Sequence, residues 1–200
     1  MGCHIIRQAD GLKTGGIIVE AEAYIGEDDP ACHASHGLTE RNSIMYGPPG
    51  FLYVYFTYGN HFMINVVTGR KGFPAAVLLR GMEPIYGVDI MAKKRNVEKS
   101  EAIASGPGKL AAALSVTKQD YGTDLLGNSI YIIGPGRLKD SIMASPRIGI
   151  GARGSDKLWR FYLKDNPHVS RHPGAIRENI RSLNEAKRTA FSLYKIQTNL

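Results

Sequence analysis

Two hundred residues, 43% of them hydrophobic, are enough for one domain with a real core. No uncharged apolar run approaches the roughly 18 residues a transmembrane helix needs, and Met-Gly-Cys-His-Ile-Ile-Arg lacks the basic-then-apolar order of a secretory signal. The two cysteines, Cys3 and Cys32, have no C-x-x-C spacing, which argues against a disulfide framework or a structural zinc site and for a reducing, cytoplasmic setting.

The net charge of +7 is unevenly placed. Residues 1–50 hold three Lys/Arg against seven Asp/Glu, so the remainder carries +11, with ten Lys/Arg against four acids after Ile150. A cationic body around an acid-bearing segment suits a polyanionic partner such as nucleic acid, although charge alone fits a basic protein of any kind.

In chain order, the first predicted strand is 4–7 and the second 16–24. Within the second, Ile17-Ile-Val-Glu-Ala-Glu-Ala-Tyr24 alternates strictly. Period two puts Ile17, Val19, Ala21 and Ala23 on one face and Ile18, Glu20, Glu22 and Tyr24 on the other. Residues 26–50 show no period and read as a long surface loop of the kind that often carries function. Asp28, Asp29, Cys32, His33 and His36 crowd this loop, but they meet no standard metal-ligand spacing, and no metal is expected.

Strands follow at 51–57 and 62–67, in the run FLYVYFTYGNHFMINVV. Gly59-Asn60 between them suits a two-residue type II′ hairpin turn with Tyr58 and His61 at the tip. The tyrosines fit ordinary cross-strand pairs, yet a large aromatic at a projecting tip is also how a wedge enters a base stack. A strand at 75–80 closes on Arg80, an isolated cation after an apolar run that calls for opposite charge nearby. Helices are predicted over roughly 84–94 and 107–115. The second opens at Ser-Gly-Pro-Gly-Lys109, with Ser105 ahead of a first-turn proline.

That stretch lacks the first glycine and the final hydroxyl of an NTPase phosphate loop, although a lysine at a helix start can hold one phosphate. Strands are expected near 129–133, 146–151 and 158–163. Gly149-Ile-Gly-Ala-Arg-Gly154 fits G-x-G-x-x-G, but an alternating run follows it where a dinucleotide fold needs a helix. The basic tail from about 170 is expected to form a helix over 176–193.

The segments VEAEAYIG (19–26), Ala31-Cys-His33, RNSIM (41–45), PGFLYVYFTYGNHFMINV (49–66), AVLLRGMEP (76–84), SGPGKL (105–110) and RIGIG (147–151) occur in an order and spacing that resembles the alkyladenine (3-methyladenine) DNA glycosylases. These are base-excision enzymes of the methylpurine type. The resemblance implies an α+β fold: a single mixed domain over 1–200 with a curved antiparallel β-sheet core, a protruding β-hairpin and surrounding helices. It also implies a short helical segment ahead of the first strand, whereas this chain begins almost at the strand. The basic tail has no counterpart.

For function, the resemblance implies a monofunctional glycosylase that flips alkylated or deaminated purines (3-methyladenine, 7-methylguanine, hypoxanthine) from double-stranded DNA and hydrolyses the N-glycosidic bond. Glu22 is implied as the base that activates water, with Arg80 beside it. Tyr24, His33, Tyr55, Asn65 and Leu78 are implied as the base pocket. Tyr58 corresponds to the intercalating residue, Met45 to a residue abutting the gap, and Arg41 and Lys109 to further DNA contacts. Glu20 either balances Arg80 or is solvated at the pocket edge.

No cofactor is implied, and no lysine can be placed as a Schiff-base nucleophile, so lyase activity is not expected. The chain is expected to act as a monomer, off the membrane, in a bacterial cytoplasm or, for a eukaryotic chain, a nucleus. A DNA-binding protein without activity and a metal-dependent nuclease are the rival readings.

Overall fold

The computed structural model describes residues 1–57, 59–135, 141–152 and 154–170 and the two-residue strand Arg181–Ser182. Its strands are β1 (His4–Ala9), β2 (Leu12–Ile25), β3 (Leu52–Thr57), β4 (His61–Val67), β5 (Ala75–Tyr86), β6 (Ile130–Ile133), β7 (Ile142–Ser145), β8 (Arg160–Leu163) and β9 (Arg181–Ser182). Among the described residues three α-helices accompany them: α1 (Val88–Arg95), α2 (Ser100–Ile103) and α3 (Pro107–Ala113). All form one curled antiparallel sheet with helices against it, an α+β fold. Among the described residues, no helix is long and apolar enough to cross a membrane.

β2 organises the sheet. One edge pairs with β5 from Gly15 to Ile25, while the other is divided between β1 (Leu12 to Ile17) and β8 (Glu20 to Glu22). The sheet continues as β3-β4-β5-β2-β8-β7-β9, and β1 branches off to β6. The β3–β4 hairpin meets β5 only at Asn65, Val66 and Val67, so its distal half projects beyond the sheet. Phe56 and Phe62 pack there at a tilt of 55° with ring centroids 4.9 Å apart.

The two faces of β3 bury different things. Leu52 and Val54 join Ile5, Ile64, Leu79 and Met82 in a core closed by Met91, Ile103, Leu110 and Leu114 from the helical section. Tyr53 points the other way, into a smaller cluster with Cys32, Ala34, Met45, Val67 and Ala76, which fastens the loop 26–50 to the opposite face. That loop contains two short 3-10 turns, His33–His36 and Ser43–Tyr46. Each fully buried Leu or Ile in the main core contributes roughly 1.5–3 kcal/mol of transfer free energy.

Five sequence expectations change. Period two breaks at a β-bulge between Ile18 and Glu20 opposite Gly81, so Ile18 joins the helix-side core while Glu20 and Glu22 reach Arg80. β5 continues through Tyr86, because Glu83 and Pro84 pair with Ile17 and Gly16, and Gly87 (φ 59°) then turns the chain into α1. Residues 146–151 are loop: β7 ends at Ser145, and the Ile148 amide serves a side chain rather than a ladder. Thr57 pairs with His61, leaving three residues in the hairpin loop rather than two. Gly106 (φ 136°), not Ser105, stands at the start of α3, while Ser105 bridges to Gly81. The expected helix over 176–193 lies outside the described residues except for Arg181–Ser182, which are strand and pair with β7.

A Cβ on Gly16 would collide with the Glu83 carbonyl oxygen, and main chain cannot give way as a side-chain tip can. Gly16→Ala should therefore lower the unfolding free energy by about 3 kcal/mol in chemical denaturation. A change within about 0.5 kcal/mol, the usual range for a surface site, would show that β2 and β5 do not approach so closely.

Candidate active site

The bulge in β2 delivers two carboxylates to one cation. Glu20 and Glu22 are both 0% exposed, and Arg80 of β5 is 7% exposed. Arg80 donates from Nε to Glu20 Oε1 at 3.1 Å and from Nη1 to Glu22 Oε2 at 3.2 Å. Glu22 also accepts from the Tyr24 hydroxyl at 2.8 Å and, on Oε1, from the Ile148 amide at 2.7 Å. Burial and the adjacent Glu22 carboxylate push the Tyr24 phenol well above its ordinary pKa, so it stays a donor.

Glu20 is held more tightly still. Its Oε1 accepts from Arg160 Nε at 2.7 Å and Ser170 Oγ at 2.8 Å, and its Oε2 accepts from the Ser170 amide at 2.7 Å. Burial pushes the Glu20 carboxyl up, but Arg160, Arg80 and the Ser170 amide outweigh it and hold the group below the usual carboxylate range. The alternative of a solvated Glu20 at the pocket edge is thereby excluded. Two carboxylates balance two guanidinium groups, which makes burial of all four tolerable.

A second buried pair braces the same wall. Arg147 meets Asp29 in a two-pronged contact at 2.6 and 2.7 Å, and its Nη1 also donates to the Ala23 carbonyl. Its guanidinium carbon lies 4.7 Å from the Tyr24 ring centroid and 5.1 Å from that of Trp159. Asp29 thus belongs to Arg147, and among the described residues no three His, Cys, Asp or Glu side chains group to hold a metal ion.

In front of these charges opens a cavity of about 670 Å³, between the sheet and the loop 26–50. Tyr24, His33, Tyr55, Asn65, Leu78 and Arg80 all line it, so the structure gathers the pocket residues singled out in the sequence. Glu22 lies directly behind Tyr24 and Arg80. His33 Nδ1 is 2.7 Å from the Tyr53 hydroxyl, and its ring packs edge-on to Tyr55 with centroids 4.5 Å apart. Burial, then the charge of Arg41, lowers the His33 pKa from 6.5 to about 4. Asn65 donates from Nδ2 to the Tyr53 carbonyl at 3.2 Å across the hairpin, which fixes its orientation.

Of the remaining candidates, Met45 and Arg41 also line the cavity. Met45 is 2% exposed and forms pocket wall and loop core rather than surface. Arg41 is exposed at the pocket rim, its guanidinium 5.1 Å from the Tyr55 ring centroid. Lys109 is exposed in the first turn of α3, of which Pro107 lines the pocket. Tyr58 lies outside the described residues.

Sequence reasoning missed several contributors. Asn42 ties the loop together, donating to the His33 and Gly37 carbonyls while its Oδ1 accepts from the Thr39 amide. The Arg147–Asp29 pair spans 118 residues and leaves no local pattern. Arg160 could have been found: like Arg80, it is a lone cation within an apolar strand, Leu158-Trp-Arg-Phe-Tyr-Leu163.

The family model described as methylpurine-DNA glycosylase (MPG) matches residues 1–167. A protein of Chlorobaculum parvum is 48% identical over 161 residues, covering 80% of this chain and 77% of that protein. One of Methanocella arvoryzae is 47% identical over 180 residues, covering 88% and 90%. One of Carboxydothermus hydrogenoformans is 45% identical over 173 residues, covering 86% and 90%. All three carry the name "Putative 3-methyladenine DNA glycosylase".

The His33 imidazole should remain neutral through the neutral range, with an NMR titration midpoint at about 4. Because the folded pKa lies below the unfolded one, stability from this group is complete above pH 6.5 and is lost as pH falls towards 4. A midpoint of about 6 or higher, ordinary for histidine, would contradict its burial against Tyr53.

Proposed function

The chain belongs to the methylpurine-DNA glycosylase family, a DNA-repair hydrolase acting on N-glycosyl bonds, and from that premise we propose that it flips alkylated or deaminated purines out of duplex DNA and excises them in a single hydrolytic step. The carrying observation is the aromatic cavity backed by Glu22, a buried carboxylate positioned by Arg80, Tyr24 and the Ile148 amide.

In this reading Glu22 takes a proton from water arriving through the pocket floor. The water oxygen bonds to the anomeric carbon, the N-glycosidic bond breaks, and its electron pair leaves with the base. The carboxylate also stabilises the positive charge that develops on the sugar. Tyr24, Tyr55 and His33 wall the flipped base, and electron-rich rings favour a cationic alkylated purine. A neutral His33 suits that ligand, since an imidazolium would repel it. Asn65 and Leu78 set the shape that rejects normal bases, with Asn65 disfavouring the exocyclic amine of guanine.

Tyr58, next to Gly59 in the sequence, is the wedge that fills the vacated stack. Arg41 and Lys109, both exposed, contact phosphates, and Met45 supports the pocket wall beneath the gap. The product is an abasic site with an intact backbone, and the working unit is one chain on one duplex.

Glu22→Gln should retain binding to lesion-bearing duplex while single-turnover excision falls by about 10³-fold or more, the scale expected when a general base is lost. Excision within tenfold of wild type would remove Glu22 from the role of base. The same assay run in EDTA on duplexes carrying 3-methyladenine, 7-methylguanine, hypoxanthine or an etheno adduct should yield alkali-labile but uncut strands. Strand breaks that disappear in EDTA would point to a nuclease instead.

A further inference from the structure

We propose that Glu20 is a positioning residue for this reaction: by occupying the Nε edge of Arg80 it keeps that guanidinium from forking onto Glu22, and so preserves Glu22 as an acceptor of the water proton. This rests on the reading of Glu22 as the base.

A guanidinium beside a carboxylate prefers two parallel N–H···O contacts. Arg80 instead divides itself, giving Nε to Glu20 and only Nη1 to Glu22, the latter at 3.2 Å. A side-on fork through Nε would engage both Glu22 oxygens, one of which the Ile148 amide already holds. Glu20 prevents this because it cannot move. Arg160 and both polar groups of Ser170 fix it, with Arg160 Nε and Ser170 Oγ on the same Oε1 that accepts from Arg80.

The main chain is shaped for that clamp. A Cβ on Gly81 would lie 2.9 Å from the His168 carbonyl oxygen and 3.1 Å from Glu20 Cβ, so the bare glycine lets the segment before Ser170 close over Glu20. Arg160 is steadied in turn, with Nη1 donating to Ser145 Oγ at 3.1 Å and its guanidinium carbon 4.5 Å from the Tyr162 ring centroid. Three parts of the chain, around Arg80, Arg160 and Ser170, converge on the Glu20 carboxylate, more anchoring than neutralising Arg80 alone requires.

The charge balance gives the inference a sign. Glu22 faces Tyr24, Arg80, Arg147 and the Ile148 amide, and Glu20 faces Arg80, Arg160, Tyr162 and Ser170. Neutralising Glu20 leaves an uncompensated positive charge beside Glu22 and frees Arg80 to fork. Removing Arg160 leaves an excess negative charge instead.

Single-turnover excision should be measured against pH for wild type, Glu20→Gln and Arg160→Gln, on the lesion duplex that wild type excises fastest. In Glu20→Gln the acid limb should move down by about one pH unit, with the plateau rate falling by about tenfold. In Arg160→Gln the limb should move up. Limbs that stay in place, or move in the same direction, would overturn the inference whatever happens to the rate, since mere structural damage lowers a rate without shifting its pH dependence in opposite directions. If Glu20→Gln does not fold, the direction seen in Arg160→Gln decides alone. Glu22→Gln run in parallel separates the two ideas: activity there removes the base itself, whereas an inactive Glu22→Gln with unmoved limbs removes only the role of Glu20.

Discussion

The Arg80 guanidinium lies between Glu20 and Glu22, 3.1 Å from one carboxylate and 3.2 Å from the other, and both carboxylates are fully buried. Desolvating such ions costs several kcal/mol each, so the arrangement survives only if every charge has a partner and the remaining lone pairs are hydrogen-bonded. That requirement explains features otherwise scattered through the chain. Arg160 supplies the second cation, Ser170 caps Glu20 through two donors, and the Ile148 amide leaves the β-ladder to reach Glu22. The interruption of regular strand at Pro146 follows from the same demand.

The sheet is built to bring these groups together. β2 is long enough to pair with three neighbours, and its bulge rotates the glutamates away from the face that Ile18 buries against the helices. Glycines stand where main chain must come close: Gly16 against Glu83, and Gly81 beneath His168. On the pocket side, the Arg147–Asp29 pair fixes the start of the loop 26–50 and stacks against Tyr24, while Asn42 and the Tyr53–His33 contact fix its middle. The cavity therefore has one wall of rigid sheet and one of loop clamped by buried polar contacts. Such a site holds a reacting geometry at little further entropic cost.

Local pattern made much of this legible. Alternation marked β2, β3 and β4, and the cation closing an apolar run marked Arg80 as needing an acid partner. The resemblance picked out Tyr24, His33, Tyr55, Asn65 and Leu78, which do meet in one cavity. What stayed hidden depends on contacts between distant residues. The bulge opposite Gly81 cannot be read from period two, and nothing near Asp29 announces Arg147, 118 residues on. The helix expected from residue 84 failed because Glu83 and Pro84 are held as strand by β2, a tertiary demand that overrides local preference. Alternation alone did not separate Glu20 from Glu22, and the resemblance named Glu22; in the structure they share Arg80 but differ in their other partners, Arg160 and Ser170 for Glu20, Tyr24 and the Ile148 amide for Glu22.

If Arg80 is shared between the two glutamates, removing either leaves it one carboxylate, whereas removing both leaves it none on that face. A double-mutant cycle in folding free energy with Glu20→Gln and Glu22→Gln reads this directly. The double variant should be destabilised beyond the sum of the singles by about 1 kcal/mol or more. Additivity within about 0.5 kcal/mol would mean that the two carboxylates do not share Arg80.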